Sequence, residues 1–460
     1  MKSILGFFLL VLANPLSAAE ELRGRVLEKV ACAADPSQSY ALYLPSGYSP
    51  DKKWPVIYCF DPGARGKAPV ERLRAAAEKY GYIVAGSNVS RNGPWENNFK
   101  AIQAMSRDVG AHFAVESGRI YSAGLSGGAR VAVQIALEGY SKGVIACSAG
   151  FPGEVPGRVA FPVFGTAGAE DMNYHELKAL DVALEERKAA HRIVIFDGGH
   201  EWASAALMTE GVEWLELQAM KAGTLAKDPA VIGAIWRARL AGLPRAATLE
   251  RWRELKSVAA DFKGLTDTAA VESEMKTIGA ARETKEALKV ERTLMARERD
   301  LDAKLADLTD ARASEKAKFA AEIRVRADVA ADSPERRMVR RRLASYQASV
   351  RENVRGLWED SRYEEAASML ELAVLLRPGQ SRTLFDLARA RAFARDPKRA
   401  LEALRQAGAA GFSDATRAEA EPAFAKVKGD PAFWEILAEM RNNPPEPERR
   451  GGEFGGRGRF

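Results

Sequence analysis

Between Arg23 and Lys221, short runs rich in β-branched and aromatic residues alternate with segments whose apolar residues recur at helical spacing, and past Lys221 the alternation stops. Such an alternation is how a mainly parallel sheet reads, because two parallel strands need a crossover between them and a helix supplies it. The runs expected as strands are Tyr40–Leu44, Val56–Phe60, Ile83–Ser87, Arg119–Ala123, Val144–Ser148, Val163–Thr166 and Arg192–Phe196. Helical spacing covers Val70–Tyr80, Asn97–Ala114, Gly127–Glu138, Tyr174–Ala190 and Trp202–Met220. Several strand runs are continuously apolar, which fits burial on both faces. The fold class is therefore α/β, a doubly wound and mainly parallel sheet, followed by an all-α region.

With 460 residues the chain exceeds what one core organises. Its apolar share of 47% and charged share of 28% fit soluble globular domains rather than a disordered or membrane-embedded chain. Met1–Ala19 has the layout of a signal peptide: Lys2, an apolar stretch from Ile4 to Ala13, Asn14-Pro15, then small residues before the cut. The expectation is cleavage after Ala18 or Ala19 and export, to the periplasm or outside the cell, with no stable membrane insertion. Residues 20–224 then form the α/β domain and 225–345 a helical spacer. In the spacer Leu294, Leu301, Leu305 and Leu308 hint at a seam that Glu298 and Arg312 interrupt.

Residues 346–441 carry a repeat. Setting Val350 over Leu384 puts Ala366 over Ala400, Leu370 over Leu404 and Ala373 over Ala407, a small-and-large alternation that interlocking antiparallel helices need. This resembles a tetratricopeptide pair over about 347–412, departing from the pattern at Asn353 and Arg391. The resemblance implies a protein partner held by the repeats. The Pro-, Gly- and Arg-rich residues 442–460 read as a disordered tail.

The formal charge of +6 gathers in segments such as Arg336–Arg342, read as a solvated face, so no nucleic-acid partner is expected. Three cysteines, Cys32, Cys59 and Cys147, do not imply a disulfide framework. Four scattered histidines and these thiols offer no ligand cluster, so neither a metal nor another cofactor is expected.

Chemistry enters at Gly124-Leu125-Ser126-Gly127-Gly128, which follows one expected strand and opens one expected helix. A strand-to-helix turn this tight strains the serine backbone, and only small residues two before and two after it avoid a clash. A serine hydroxyl needs a base, and the histidine must come later in the chain. His200, in the glycine-rich Phe196-Asp197-Gly198-Gly199-His200 after the last strand, is the choice. His112 and His191 read as surface or packing residues, and His175 is a minor competitor. Asp171, in the loop Ala167–Tyr174, is the expected orienting acid, ahead of Glu170 and Asp197. The oxyanion donors expected are the amide of Gly127 and one from Gly63 or Ala64, since Pro62 has no N–H. Trp95, in the loop Asn88–Asn98, and Trp202 are expected as pocket walls.

On these residues the chain from Tyr40 to Met220 resembles the α/β-hydrolase superfamily, especially its compact carboxylesterase, dienelactone-hydrolase and polyhydroxybutyrate-depolymerase-like branches. The order Ser126, Asp171, His200 matches theirs, while Asp61-Pro62 stands where His-Gly is common. The resemblance implies an exported serine hydrolase acting on a carboxylic ester through an acyl-enzyme. Two alternatives are a prolyl-oligopeptidase-like peptidase, with a peptide substrate, and a non-catalytic scaffold whose repeats bind a partner.

Overall fold

The computed structural model describes residues 22–444, so the expected signal peptide and most of the expected tail lie outside the described residues. Eight strands form one sheet: β1 (Val26–Cys32), β2 (Asp35–Tyr43), β3 (Trp54–Phe60), β4 (Ile83–Ser87), β5 (Val115–Leu125), β6 (Val144–Cys147), β7 (Val163–Gly168) and β8 (His191–Phe196). Their spatial order is β1-β2-β4-β3-β5-β6-β7-β8. The β1–β2 and β2–β4 pairs are antiparallel, and the pairs from β4 through β3, β5 and β6 to β7 are parallel. The mainly parallel sheet expected from the alternation is thus present. Two features differ from the sequence reading. β1 is an additional, largely solvent-facing edge strand whose Glu28 and Lys29 hide its pattern, and β5 runs longer than Arg119–Ala123.

Because successive side chains point to opposite faces, each face of the sheet builds its own core. Tyr40 and Leu42 join Met105 and Val109 of α2 (Trp95–His112), Val131 and Ile135 of α3 (Gly127–Leu137) and Leu177 of α4 (Tyr174–Glu186). Ala41 and Tyr43 join Val70 and Leu73 of α1 (Lys67–Tyr80) and Met208 and Val212 of α5 (Ala205–Ala222) on the other face. All seven residues of β3 are buried, as a doubly covered central strand requires. Cys32, Cys59 and Cys147 are buried and in no disulfide.

The chain falls into two compact units. The first runs to Ala167 and includes His175–Phe196 and Trp202–Gly279. The boundary expected at 224/225 therefore lies further on. Helices α6 (Pro229–Ala241), α7 (Leu249–Phe262) and α8 (Ala269–Ala280) bring Ile232, Ile235, Leu255, Phe262 and Ile278 into one apolar cluster with Leu217 and Met220 of α5. A buried charge fixes the same connection: Arg192 of β8 donates from Nη1 to Asp261 Oδ2 of α7 at 2.5 Å, and Trp214 Nε1 donates to Asp261 Oδ1 at 2.7 Å. Composition misses this boundary because α6–α8 are as rich in Ala, Arg, Glu and Leu as the helices that follow.

The second unit comprises the chain from Ala280 onward together with two short loops, Gly168–Tyr174 and Asp197–Glu201. Its helices are α9 (Arg282–Asp307), α10 (Ala313–Ala327), α11 (Pro334–Glu359), α12 (Tyr363–Leu376), α13 (Ser381–Phe393), α14 (Pro397–Ala409), α15 (Ala415–Ala420) and α16 (Pro431–Arg441). Leu301, Leu305 and Leu308 of the expected seam are buried in a core shared with α11 and α12. The repeat positions Ala366, Leu370, Ala373, Ala400, Leu404 and Ala407 are all buried. The arginines of α11 are not all solvated: Arg341 and Arg342 are buried, and both engage the buried carboxylate of Glu298, the residue that interrupts the leucine spacing. Among the described residues no helix is long and apolar enough to cross a membrane.

Candidate active site

Ser126 lies between β5 and α3 with φ 53° and ψ −122°, a conformation that costs a non-glycine residue on the order of 1–3 kcal/mol. Its amide donates to the Cys147 carbonyl at 2.8 Å, and its own carbonyl accepts from Ala129 N at 2.9 Å, which pins the turn from both sides. The flanking glycines are sterically dictated. A Cβ on Gly124 would stand 2.0 Å from the Gly128 carbonyl oxygen, and a Cβ on Gly128 would stand 2.1 Å from that of Phe60. Strand β3 and helix α3 therefore crowd the turn to the distance at which only glycine fits. The elbow and the strand order decide the fold. The first unit has the α/β-hydrolase fold.

The α/β-hydrolase elbow places Gly127 at the first helical position, where an amide has no partner within its own helix and faces outward. A neighbouring side chain packs against the Gly127 backbone: a Cβ on Gly127 would lie 1.9 Å from Asn92 Oδ1. Asn92 stands in the loop Asn88–Asn98, in which the sequence points to the aromatic Trp95 and not to this amide. A cavity of about 280 Å³ opens along the loop that bears Asn92, lined by Gln38, Val89, Arg91, Asn92, Gly93, Pro94, Asn97 and Lys100 and not by Ser126 or Gly127. Trp95 is outside that lining and 45% exposed, which does not make it a pocket wall.

The loop after β3 is built around Asp61, which is fully buried. Its Oδ1 accepts from Gly63 N at 2.8 Å and from Arg65 Nε at 2.7 Å, and its Oδ2 accepts from Arg65 Nη2 at 2.7 Å and Trp202 Nε1 at 2.8 Å. The Ala64 amide donates to the Asp61 carbonyl at 3.1 Å, with Ala64 itself at φ 58°. Gly63 and Ala64, the alternatives for the second oxyanion donor beside Gly127, thus both have their amides engaged with Asp61. Trp202 is buried as well, so it supports this loop from the core instead of walling a pocket. The replacement of His-Gly by Asp61-Pro62 has a structural meaning: an acidic hub organises the loop with four charge-assisted or neutral donors.

In the second unit the two loops bring Asp171 and His200 together. His200 Nδ1 donates to Asp171 Oδ1 at 2.8 Å, and both side chains are buried, His200 at 4% and Asp171 at 0% exposure. A carboxylate only accepts, so Nδ1 carries the proton and the tautomer leaves Nε2 as the acceptor. Asn173 N also donates to Asp171 Oδ1, at 2.8 Å, while no donor among the described residues reaches Oδ2. Glu170 N donates to the Gly198 carbonyl at 2.9 Å, tying the acid loop to the base loop. Gly168 permits the approach, since a Cβ there would meet the Gly198 and Gly199 carbonyl oxygens at 2.3 and 2.4 Å. Of the two other acids considered, Glu170 faces Arg340 at 3.5 Å and Asp197 faces Arg337 at 3.4 Å. A buried imidazole oriented by a carboxylate in this tautomer is a competent general base.

No family model matches the chain, and no curated protein matches it. Among solved structures it is similar to the fluorophosphonate-binding serine hydrolase F of Staphylococcus aureus, at 14% identity and a TM-score of 0.33, covering 39% of this chain and 92% of that one. Esterase B from Lactobacillus rhamnosis is similar at 16% identity and a TM-score of 0.35, with 44% and 88% coverage. Dipeptidyl peptidase 4 of Porphyromonas gingivalis is similar at 15% identity and a TM-score of 0.33, with 42% and 35% coverage.

Proposed function

We propose that this protein is a serine hydrolase that cleaves carboxylic esters through an acyl-enzyme on Ser126. The observation that carries the reading is the buried His200–Asp171 hydrogen bond at 2.8 Å, which occupies Nδ1 and makes Nε2 the acceptor of the neutral imidazole. A surface histidine needs no such partner, and a buried one gains orientation from it. In this reading Ser126 Oγ attacks the ester carbonyl as His200 Nε2 takes the hydroxyl proton, and Asp171 stabilises the imidazolium that forms. The negative charge on the tetrahedral oxygen falls beside the Gly127 amide, with the Asn92 carboxamide as the neighbouring polar group. His200 then returns its proton to the alcohol as it leaves. Water, deprotonated by His200, releases the acid and restores the hydroxyl of Ser126.

The leader-like Met1–Ala19 supports action outside the cytoplasm, and sequencing the N-terminus of the mature protein tests that placement. The test of the reaction is fluorophosphonate labelling of the full chain, followed by short-chain and aryl esters against peptide anilides. Labelling is expected in the wild type and lost in Ser126→Ala and His200→Ala, with esters turned over and anilides inert. A folded wild type that does not label would sink the proposal.

A further inference from the structure

We infer that Arg341 of α11 is a positioning residue for the His200–Asp171 pair, so that the helical unit supplies part of the catalytic machinery. The inference rests on the hydrolase reading for its consequence, and on geometry for its content. Asp171 is held through one oxygen alone, Oδ1, by His200 and by the Asn173 amide. Its aim at the imidazole therefore depends on the backbone of its loop, and that backbone needs an outside anchor.

Arg341 provides the anchor from two directions. Its Nη1 donates to the Ala169 carbonyl at 3.2 Å, and its guanidinium carbon sits 4.4 Å from the ring centroid of Tyr174. The loop is gripped on both sides of Asp171, two residues before it and three after. The guanidinium is fixed in turn by Glu298 of α9, which accepts from Nε at 2.7 Å and from Nη2 in a second, shorter bond. Glu298 is 1% exposed and forms a second ion pair, its Oε1 lying 2.7 Å from Arg342 Nε. Alongside, Arg340 Nη1 lies 3.5 Å from Glu170 Oε1 of the same loop. A buried ion pair of this kind costs desolvation and is weak evidence for stability, so its use here is to fix one arrangement of the loop. A planar guanidinium suits the task because it stacks on a ring while donating in two other directions, which an ammonium does not do.

The experiment uses the full chain with Arg341→Met, Arg341→Lys and, as a control, Arg326→Gln at the exposed Glu335 pair. Three readouts are taken: folding by circular dichroism, ester hydrolysis resolved into kcat and KM, and the low-field proton resonance of a histidine Nδ1–H held by a carboxylate. Arg341→Met is expected to fold, to lose about 10- to 100-fold in kcat with little change in KM, and to lose the resonance. Arg341→Lys should recover part of both, and Arg326→Gln should match the wild type. A folded Arg341→Met with wild-type kcat and an intact resonance would overturn the inference. Should Arg341→Met not fold, Arg341→Lys decides: a wild-type kcat there overturns the inference as well. A wild type that neither labels nor hydrolyses esters ends the hydrolase reading, and the resonance alone then judges Arg341, present in the wild type and lost in Arg341→Met if the inference holds.

Discussion

Ser126 holds its place between β5 and α3 at a conformational cost. With φ at 53° and ψ at −122°, any L side chain at this position is strained, whatever its hydroxyl does. Removing the hydroxyl and relieving the backbone are therefore separable. Ser126→Ala keeps the strain, whereas Ser126→Gly removes it, against the larger entropy that glycine loses on folding. Thermal and urea unfolding should find Ser126→Gly more stable than Ser126→Ala by about 1 kcal/mol, both being inactive. Equal stabilities would mean that the elbow is relaxed. The steric demand at Gly124 and Gly128 arises between residues four apart and one adjacent strand, which is why the elbow is legible as a pentapeptide. Asp171 and His200 are legible from chain order and loop chemistry. Arg341 is not, because what makes it matter is a carboxylate 43 positions away and a carbonyl 172 positions away.

At the scale of elements, His191 shows how a helix is fastened to the strand that leads into the His200 loop. It opens β8, and its Nε2 lies 3.4 Å from Asp181 of α4, with Glu185 at 3.9 Å. Burial works against the imidazolium, but the Asp181 hydrogen bond, the Ala189 carbonyl and the charges of Asp181 and Glu185 outweigh it and hold His191 above its ordinary 6.5. Asp181 loses ground to burial too, yet His191 and the nearby Lys178 and Lys256 hold it below 3.8. A raised histidine contributes stability that is whole below its unfolded value and is lost as pH rises through its folded one. A lowered aspartate contributes above its unfolded value and loses it on acidification. The pair thus acts from about pH 4 to somewhat above 6.5. The melting temperature of the wild type should exceed that of His191→Asn by more at about pH 5.5 than at about pH 9, and a gap independent of pH would remove the ion pair from the account. Elements were readable from the sequence wherever burial was two-sided, as in β3. Edge strand β1, whose exposed face carries charges, was not, and neither was the attachment of helices α6–α8, which depends on Arg192 meeting Asp261.

On the scale of the whole molecule, the division into units cuts across the order of the chain. The loops that bear Asp171 and His200 group with helices that begin more than 75 residues later. Loosening the helical core should therefore loosen the loops. Leu370→Ala, at a fully packed position of α12, is expected to cost about 2–5 kcal/mol. Hydrogen–deuterium exchange followed by mass spectrometry should then show faster exchange in peptides spanning 168–174 and 197–201 together with 334–376, while peptides of β3 keep their protection. Loops that stay protected would belong energetically to the sheet.

The buried thiols have a practical side. All three cysteines of the chain lie in strands or directly against them, closed off from solvent at 1% exposure or less. Burial, with the charge of Asp108 nearby, pushes the Cys32 thiol up to about 11, and burial pushes Cys59 higher still, so little thiolate forms near neutral pH. The native protein is in effect already cysteine-silent. A reporter cysteine placed on any exposed helix will be the one site that a maleimide dye reaches, and fluorescence can follow the molecule without stripping a single residue from its core.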